Sequence, residues 1–317
     1  MKTREFGPES AVDRGRVAVV TGADSNYFWL LEGAVESLRS AKERYGFELV
    51  VLDFGLTDEE KAVLHDVHDA KVVTAPWIVD VPEHHKTRRN LAFGARCTLP
   101  DLLPGIDVFL WFDSDGWVQD DVFYERYIEA AWEGRLAIVR EEEEAYPFDW
   151  PLMRWNLGNQ ILGFGLFLGT RVYLSPAINN GFFAAKADHP VWKCWRRRFE
   201  SAVRRSGKII MDQHSLKAAI ALDRIPTTYL GGELNWICSR GRPVYDPVRK
   251  CFCLPYPPYT KIAVMHLAGH DKDCRRQLIC VDGGNYETAL TYRQRTAPPT
   301  RSVAEPLPVP STSHPLN

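Results

Sequence analysis

The sequence of 317 residues has no excess of charge of either sign, since 39 Lys and Arg stand against 41 Asp and Glu. This balance argues against a protein that coats nucleic acid or binds membranes through a polybasic surface. Long hydrophobic runs are also missing: the longest near-apolar stretch, residues 161–169, is about half of the ~20 residues that a membrane-spanning helix needs. Residues 1–16 mix both signs without a long apolar core, so we expect no secretory signal and, by default, a cytoplasmic protein.

Cysteine is scarce, and its spacing is not that of a typical metal site. Seven cysteines are an odd number in a long chain, which argues against a disulfide framework. Cys251 and Cys253 form a CxC pair rather than the CxxC pair usual in zinc sites, and Cys274 and Cys280 follow further along. We therefore expect buried or half-buried free thiols, with a structural zinc as the weaker alternative.

The remaining composition is that of an ordinary globular protein, with 45% hydrophobic and 25% charged residues. A fibre and a largely disordered chain are therefore excluded. The length corresponds to one large α/β domain or two smaller domains. Residues 297–317 differ from the rest, because they contain six prolines and almost no apolar periodicity. For this segment we expect a disordered tail.

Strand-like and helix-like segments alternate through the first 120 residues or so. Residues 17–20 and 48–53 are buried-strand runs, and the apolar run DVFLWF at 107–112 is the clearest strand. Helical spacing ends at Gly46, and Thr57 begins another helix as a hydroxyl N-cap. The alternation predicts an α/β fold with a mainly parallel, doubly wound sheet flanked by helices. Such sheets bind ligands at the carboxyl ends of their strands.

The second half of the chain is less regular. Its strand candidates are residues 135–140, 181–186, 225–230 and 262–267, and its helix candidate is residues 215–222. Between them, residues 141–174 are rich in Trp, Gly and Phe, so we expect a long loop-rich insertion of the kind that forms lids. The four glutamates at 141–144 are more typical of a solvated face than of a site.

The sharpest chemical feature directly follows the DVFLWF strand. Asp113 and Asp115 place two carboxylates two residues apart at its end, and carboxylate oxygens are hard ligands that suit Mn²⁺ or Mg²⁺. In the crevice of the sheet, a metal held there can neutralise a diphosphate leaving group. The alternative is an acidic solvated turn, and the position after a buried strand favours the metal site.

A second cluster follows the apolar strand candidate in the last third of the chain. His266 could give an imidazole to the same metal, Gly269 lets backbone approach a phosphate, and Lys272 supplies a positive point charge. Taken alone, the pattern is better explained by a core histidine beside a surface lysine. The upstream pair, Asp113 and Asp115, favours the functional interpretation.

Four motifs, in order, resemble glycosyltransferase family 8, which includes glycogenin, galactinol synthase and bacterial lipopolysaccharide galactosyltransferases. The motifs are residues 23–27 (ADSNY), the DxD at 113–115, the NxG strand start at 179–183 with a later Asp-Gln pair at 212–213, and HxxGxxK at 266–272. The resemblance covers about residues 16–275 and implies a GT-A (Rossmann-like) fold with a mixed, mainly parallel sheet. It implies a single domain at 16–296 after an N-terminal arm at 1–15. Within it, 16–120 would be the nucleotide-binding half and 121–296 the acceptor half.

The resemblance also implies a role for each matching residue. Mn²⁺ or Mg²⁺ would be bound by Asp113, Asp115 and His266. Asp212 would hold donor-sugar hydroxyls and Gln213 would lie beside the anomeric carbon, as the catalytic pair. A nucleotide-sugar donor, with a UDP-sugar as the expected one and Tyr27 stacking on its uracil, would be contacted by Ala23, Asp24, Tyr27, Arg96, Ser114, Asn180, Gly181, Gly269 and Lys272.

The implied activity is metal-dependent transfer of a sugar to a hydroxyl of an unknown acceptor, which could be a saccharide, a small molecule or a protein. The resemblance implies retention of anomeric configuration, and Trp150 and Trp155 could stack on an acceptor sugar. One alternative is a sugar-phosphate nucleotidyltransferase, but the turn at 21–24 has a single glycine where those enzymes have a glycine-rich loop. The other is a catalytically silent binding module, against which the intact metal set argues. Lys272 is followed by Asp-Cys where the family has Pro and an aromatic residue, so the donor sugar stays open, as does the oligomeric state.

Overall fold

The computed structural model describes residues 15–269, 272 and 275–293. The expected tail at 297–317 and all but the last residue of the expected arm lie outside the described residues. The strands are β1 (Val17–Ala23), β2 (Glu48–Asp53), β3 (Lys71–Thr74), β4 (Val108–Phe112), β5 (Gly116–Val118), β6 (Leu136–Arg140), β7 (Ile178–Lys186), β8 (Thr227–Leu230), β9 (Trp236–Ile237), β10 (Val244–Asp246), β11 (Cys251–Cys253), β12 (Val264–His266), β13 (Arg275–Ile279) and β14 (Asn285–Ala289).

Ten α-helices lie within the described residues, together with short 3₁₀ turns at Ser25–Tyr27, Glu83–His85, Arg96–Thr98 and Gly232–Leu234. None of these helices is both long enough and apolar enough to cross a bilayer. The helices are α1 (Phe28–Ser37), α2 (Arg39–Tyr45), α3 (Asp58–Asp66), α4 (Leu91–Ala95), α5 (Leu99–Leu102), α6 (Val122–Trp132), α7 (Trp150–Phe164), α8 (Leu166–Tyr173), α9 (Val191–Ser206) and α10 (Asp212–Leu222).

Seven strands form the central sheet, in the order β3-β2-β1-β4-β7-β6-β8. All run in the same direction except β7, which is antiparallel to its neighbours β4 and β6. This confirms the predicted mixed, mainly parallel sheet. Every residue of the central strand β4 is buried, which is typical of a strand covered on both faces.

Helices cover both faces of this sheet. In β1, Ala18 and Val20 belong to the apolar cluster that contains Trp195 of α9, whereas Val19 belongs to the cluster that contains Phe123 of α6. Successive strand residues point to opposite faces, so this alternation places one helical layer on each side. The result is the three-layer α/β arrangement that the alternation of elements predicts.

Two local signals act as predicted. Thr57 Oγ1 accepts a hydrogen bond from the Glu60 N–H at 3.2 Å, and the Glu60 carboxylate accepts one from the Thr57 N–H at 2.8 Å, which completes a capping box at α3. Gly46 ends α2 in the left-handed conformation, with φ of 69°. Each of these helix ends is determined by residues within a few positions of it, so the sequence alone is sufficient to predict it.

The expected loop-rich insertion at 141–174 is wrong over most of its length, because residues 150–173 form an antiparallel pair of helices, α7 and α8. The Asp149 side chain caps α7 by accepting a hydrogen bond from the Leu152 N–H at 2.9 Å. Pro151 lies in the first turn, where its missing N–H costs nothing. These start signals lie inside a Trp-rich, Gly-rich segment, whose composition misled the prediction.

The glycines of this segment mostly permit close helix packing rather than mark loops. A Cβ on Gly163 would lie 2.4 Å from Met211 Cε, and one on Gly169 would lie 2.5 Å from the Gln160 carbonyl oxygen. The turn between the two helices is made by Gly165, whose φ of 82° disfavours any residue with a side chain.

Candidate functional site

The DxD turn lies where β4 ends, and backbone hydrogen bonds hold it from two sides. The Asp113 N–H donates to the Gly181 carbonyl at 2.8 Å, which ties the turn to β7. The Leu267 N–H donates to the Asp115 carbonyl at 2.9 Å, which ties it to the end of β12. In the small sheet β5-β12-β9, His266 lies opposite Gly116. The fold therefore brings together three segments that are far apart in sequence.

The three residues expected to bind metal converge at this turn. His266 Nε2 lies 3.3 Å from Asp115 Oδ1 and 3.9 Å from Asp113 Oδ2. One ligand atom from each residue lies within 4.8 Å of the others, and no other group of three or more such ligands occurs among the described residues. Adjacent ligands about 2.1 Å from one octahedral ion lie about 3 Å apart. Two carboxylates and one imidazole, so placed, fit a divalent cation such as Mn²⁺.

Asn235, which the sequence analysis missed, orients the histidine. His266 Nδ1 lies 2.9 Å from Asn235 Oδ1, and Asn235 Nδ2 donates to Asn179 Oδ1 at 3.0 Å. An amide oxygen only accepts, so Nδ1 carries a proton and Nε2 is the ring nitrogen that faces the carboxylates. With Nε2 deprotonated, this is the tautomer that a metal ligand needs. No sequence signal marks Asn235, because it lies 31 residues from His266.

Gly181 lies against the same cluster. A Cβ at this position would lie 2.5 Å from His266 Cε1 and 3.1 Å from Asp113 Oδ2. A Cβ essentially never approaches another heavy atom to 2.5 Å, so the site has room only for glycine here. This close approach gives a physical reason for the glycine in the NxG pattern.

Arg96 joins the DxD turn to the start of α10. Its Nη2 donates to Asp113 Oδ1 at 2.7 Å and its Nη1 donates to Asp212 Oδ2 at 2.8 Å. Trp111 Nε1 also donates to Asp113 Oδ1, at 2.7 Å. Burial alone would lower the pKa of Arg96, but the surrounding carboxylates raise it, so the guanidinium stays charged. Because Arg96 and Trp111 occupy Oδ1, the Oδ2 atom of Asp113 is the one left facing His266.

The expected catalytic pair, Asp212 and Gln213, lies beside β7. Asn180 Nδ2 donates to Asp212 Oδ2 at 2.9 Å, and the Asn180 N–H donates to Gln213 Oε1 at 3.3 Å. Asp212, Asn180 and Arg96 thus form one buried hydrogen-bonded group around the Asp212 carboxylate. Gln213 is held at its edge by a backbone donor.

The interpretation of residues 141–144 as a solvated face is wrong for Glu141. Gln213 Nε2 donates to Glu141 Oε2 at 3.3 Å, and Arg240 Nη1 donates to Glu141 Oε1 at 3.1 Å. Burial raises the pKa of Glu141 above its ordinary value although Arg240 opposes the change. Glu142 and Glu144 are exposed, so the four side chains do not share a face. A run of identical charges gave no signal that its first member, directly after β6, faces inward.

Lys272 connects the metal cluster to the predicted nucleotide side. Its Nζ forms an ion pair with Asp115, donates to the Leu267 carbonyl at 2.6 Å, and lies 5.7 Å from the centroid of the Tyr27 ring. Tyr27 is 45% exposed, so its ring is available to a ligand. The register of β1 and β4, which pairs Val20 with Trp111, carries Ala23 to the level of Ser114.

The other predicted donor contacts lie at the rim of this cluster. Asp24 follows β1 and caps the Ser25–Tyr27 turn, with Oδ1 accepting from the Asn26 N–H at 3.1 Å. Gly269, with φ of 97°, lies beside Ser239, which a Cβ would approach to 3.4 Å. Neither residue forms a hydrogen bond to the DxD turn among the described residues.

Charge at the centre is unbalanced, with three carboxylates (Asp113, Asp115 and Asp212) against Arg96 and Lys272. Burial raises the pKa of Asp113, and Arg96 offsets this only in part. Burial also acts on Asp115, but His266 and Lys272 outweigh it and hold the pKa of Asp115 well below its usual range. Asp113 and Asp115 also repel each other, which raises the pKa of Asp113 further, and a divalent cation between them would offset that repulsion.

Trp150 and Trp155 both lie on α7, with 57% and 47% of their surface exposed. Trp155 contacts His214 of α10, with ring centroids 5.2 Å apart. Burial lowers the pKa of His214 to about 4, so this imidazole is neutral at pH 7.

Five of the described cysteines, Cys97, Cys194, Cys238, Cys251 and Cys253, are free thiols, and the sulfur atoms of Cys251 and Cys253 lie 3.7 Å apart. Cys274 lies outside the described residues.

Comparison with known proteins gives a fold rather than a family. No protein-family model matches the chain, and no curated protein matches it. Solved structures of glycosyltransferases are similar. An active-site mutant of LgtC has a TM-score of 0.50 at 16% identity, over 80% of this chain and 87% of that chain. The galactosyltransferase LgtC in complex with donor and acceptor sugar analogs has a TM-score of 0.49 at 17% identity, over the same shares.

A third similar structure is the bifunctional glycosyltransferase WbbM in its apo form. Its TM-score is 0.48 at 14% identity, over 84% of this chain and 48% of that chain. At such identities a likeness shows the fold alone. The chain has the GT-A glycosyltransferase fold, which confirms the fold that the four motifs imply.

Proposed function

We propose that this protein is a metal-dependent glycosyltransferase that moves a sugar from a nucleotide sugar, with a UDP-sugar as the expected donor, to an acceptor hydroxyl. The observation that carries the proposal is the convergence of Asp113, Asp115 and His266 within 4.8 Å at the carboxyl edge of the sheet. Lys272 lies beside them. A nucleotide sugar has two features that this edge can recognise, an anionic diphosphate and a hydroxyl-rich ring.

The diphosphate is the leaving group, and negative charge grows on it as the bond to the sugar breaks. A divalent cation held by Asp113, Asp115 and His266 would supply a Lewis acid for that charge. Lys272 can exchange part of its interaction with Asp115 for a diphosphate oxygen, since it already lies between Asp115 and the Tyr27 ring. Tyr27 then stacks on the base of the nucleotide.

The sugar lies on the other side of Asp113. Asp212 and Asn180 can accept from and donate to its hydroxyls, and Arg96 keeps the Asp212 carboxylate in position. This ion pair and hydrogen bond also make Asp212 a poor nucleophile, which supports a binding role for it. Gln213 offers an amide beside the anomeric carbon, and an amide is too weak a nucleophile for a covalent intermediate.

Retention of configuration then requires the acceptor hydroxyl to attack the same face of the sugar from which the leaving group departs. The acceptor oxygen bonds to the anomeric carbon as the bond from that carbon to the phosphate oxygen breaks. The acceptor proton passes to the departing phosphate oxygen, so no separate base is needed. The oxocarbenium-like carbon is stabilised by the amide oxygen of Gln213 and by the half-buried Glu141 next to it.

The test is a panel of nucleotide sugars incubated with the full chain and Mn²⁺. We expect one UDP-sugar to be hydrolysed or transferred, and the same donor with Mn²⁺ to raise the melting temperature. Asp115→Asn should lower turnover on the order of a thousandfold. The matched control is Asp66→Asn, which changes a carboxylate that is 71% exposed on α3 and should have no effect.

Two results would contradict the proposal. Stabilisation only by a nucleoside triphosphate with a sugar phosphate would indicate a nucleotidyltransferase. Donor binding without any turnover, for the whole panel, would indicate a silent binding module. NMR of the product glycoside tests the stereochemistry separately, since an inverted product is incompatible with attack from the leaving-group face.

A further inference from the structure

The tip of the α7–α8 helix pair carries an unusually exposed apolar surface. Phe167 is 92% exposed and Leu166 is 69% exposed, with Leu162 and Leu168 at 48% and 44%. These four residues, which we call the hairpin tip, surround the turn at Gly165 and are therefore contiguous. Single apolar residues scattered over a surface are normal. A contiguous cluster of large ones marks a surface that contacts another protein, a membrane or a ligand.

The α7–α8 helix pair carries charge of one sign in its sequence. Residues 150–174 contain no Asp or Glu, and their only charged side chains are Arg154 and Arg171, both exposed. Arg205 from the end of α9 lies against the turn, since a Cβ built on Gly165 would be 3.1 Å from its Nη2. Within the part of the chain that the structure describes, these three arginines form no ion pair. The surface therefore combines exposed apolar side chains with unpaired positive charge.

We infer that the hairpin tip docks on the surface of an anionic lipid bilayer, with its apolar side chains in the acyl boundary and the arginines at the lipid phosphates. A bilayer offers an apolar interior and negative charge within a few ångströms of each other. A second copy of the chain fits less well. A two-fold contact pairs the same patch with itself and would bring Arg171 and Arg205 close to their own copies.

The depth of insertion is limited by geometry. Helix α8 has eight residues and is about 12 Å long, far short of a bilayer, so the protein would bind at one leaflet. This docking goes beyond sugar transfer and does not depend on it.

The test is co-sedimentation of the full chain with vesicles. We expect binding to vesicles of equal parts phosphatidylcholine and phosphatidylglycerol, weaker binding to phosphatidylcholine alone, and a loss of the difference at high salt. Phe167→Glu should lower partitioning at least about tenfold. Val248→Glu is the matched control, because Val248 is 89% exposed but lies outside the hairpin, and it should bind like the parent. Circular dichroism melts establish that both variants fold.

Three results would overturn the inference. The first is no binding to the anionic vesicles. The second is equal partitioning of Phe167→Glu and Val248→Glu. The third is a concentration-dependent dimer in light scattering that Phe167→Glu abolishes, which would assign the hairpin tip to a second copy. Donor hydrolysis in solution serves as an independent readout, since Phe167→Glu should leave it unchanged whether or not vesicle binding is lost.

Discussion

The carboxyl edge of the sheet and the α7–α8 helix pair are built in opposite ways. At the edge, Asp113, Arg96 and His266 are buried or half-buried and hold one another through ion pairs and hydrogen bonds. On the helix pair, large apolar side chains such as Phe167 are exposed instead. The edge is therefore organised for a ligand of fixed geometry, and the helix pair for a larger and softer surface.

The first prediction compares a glycine from each region. Gly181→Ala places a methyl group 2.5 Å from His266 Cε1, so the imidazole must move and the metal ligands separate. We expect transfer to fall on the order of a hundredfold or more, with weaker activation by Mn²⁺. Gly158→Ala on α7 has open space around its Cβ and should keep full activity while gaining about 0.5–1 kcal/mol in stability. Initial rates over a Mn²⁺ titration check both.

The second prediction concerns the residue that orients His266. Asn235→Leu removes the acceptor for the Nδ1 proton, so the imidazole can take the other tautomer and turn away from the carboxylates. Apparent Mn²⁺ affinity should fall about 10–100-fold. Asn235→Asp still accepts from Nδ1 and should retain most of that affinity. Equal Mn²⁺ affinity in the leucine variant and the parent, measured by activation of turnover, would mean that Asn235 does not set the tautomer.

The sequence predicts a region well when the interactions that build it join residues close together in the chain or follow from the sheet topology. Asp113 and Asp115 follow an unmistakably buried strand, and the sheet topology brings them to a common edge with His266, so short motifs were enough. Asn235 and Glu141 reach the site by contacts across 31 and 72 residues. No local pattern encodes such contacts, and a run of glutamates even suggested the opposite for Glu141.

The helix pair was mispredicted for a different reason. Its glycines and tryptophans were interpreted by composition, although Gly163 and Gly169 serve packing against α9, α10 and α7. The net charge of the whole chain, −2, gives no information about the helix pair. It hides a stretch of 25 residues, 150–174, that contains no Asp or Glu. The composition of the segment misled the prediction because its glycines are set by packing against other helices, which composition does not encode.

The third prediction tests Glu141, the member of the glutamate run that faces the site. Glu141→Gln removes a charge that Arg240 neutralises and that positions Gln213. We expect about a tenfold loss in kcat, since a half-buried Arg240 left without its carboxylate partner disturbs the amide next to the sugar. The matched control is Glu144→Gln, which changes an exposed side chain and should be neutral. Comparable rates for the two variants would show that Glu141 has only a structural role.

The smallest expected effect lies on the helical side and concerns stability rather than catalysis. Lys217 of α10 is only 8% exposed, and its Nζ donates to the Tyr173 carbonyl of α8 at 3.1 Å. Burial lowers the pKa of Lys217 to about 8, from an ordinary value of 10.5. Between these two values the unfolded chain binds more protons than the folded one, so this lysine makes stability rise with pH across that window. Below about pH 8 the folded state bears the full cost of a buried charge.

Replacing the lysine removes that cost where it is greatest. Lys217→Met should raise the free energy of unfolding by about 1 kcal/mol at pH 7, because relief of the buried charge exceeds the lost hydrogen bond. The advantage should shrink to nothing or reverse by pH 10, since the parent lysine is by then neutral in the folded state. Urea unfolding of parent and variant across this range measures the difference, and Lys193→Met, an exposed lysine on α9, should show no such trend. A stability gain that stays constant with pH would attribute it to packing of the methionine, and the burial of a charged amine between α8 and α10 would then be the wrong explanation.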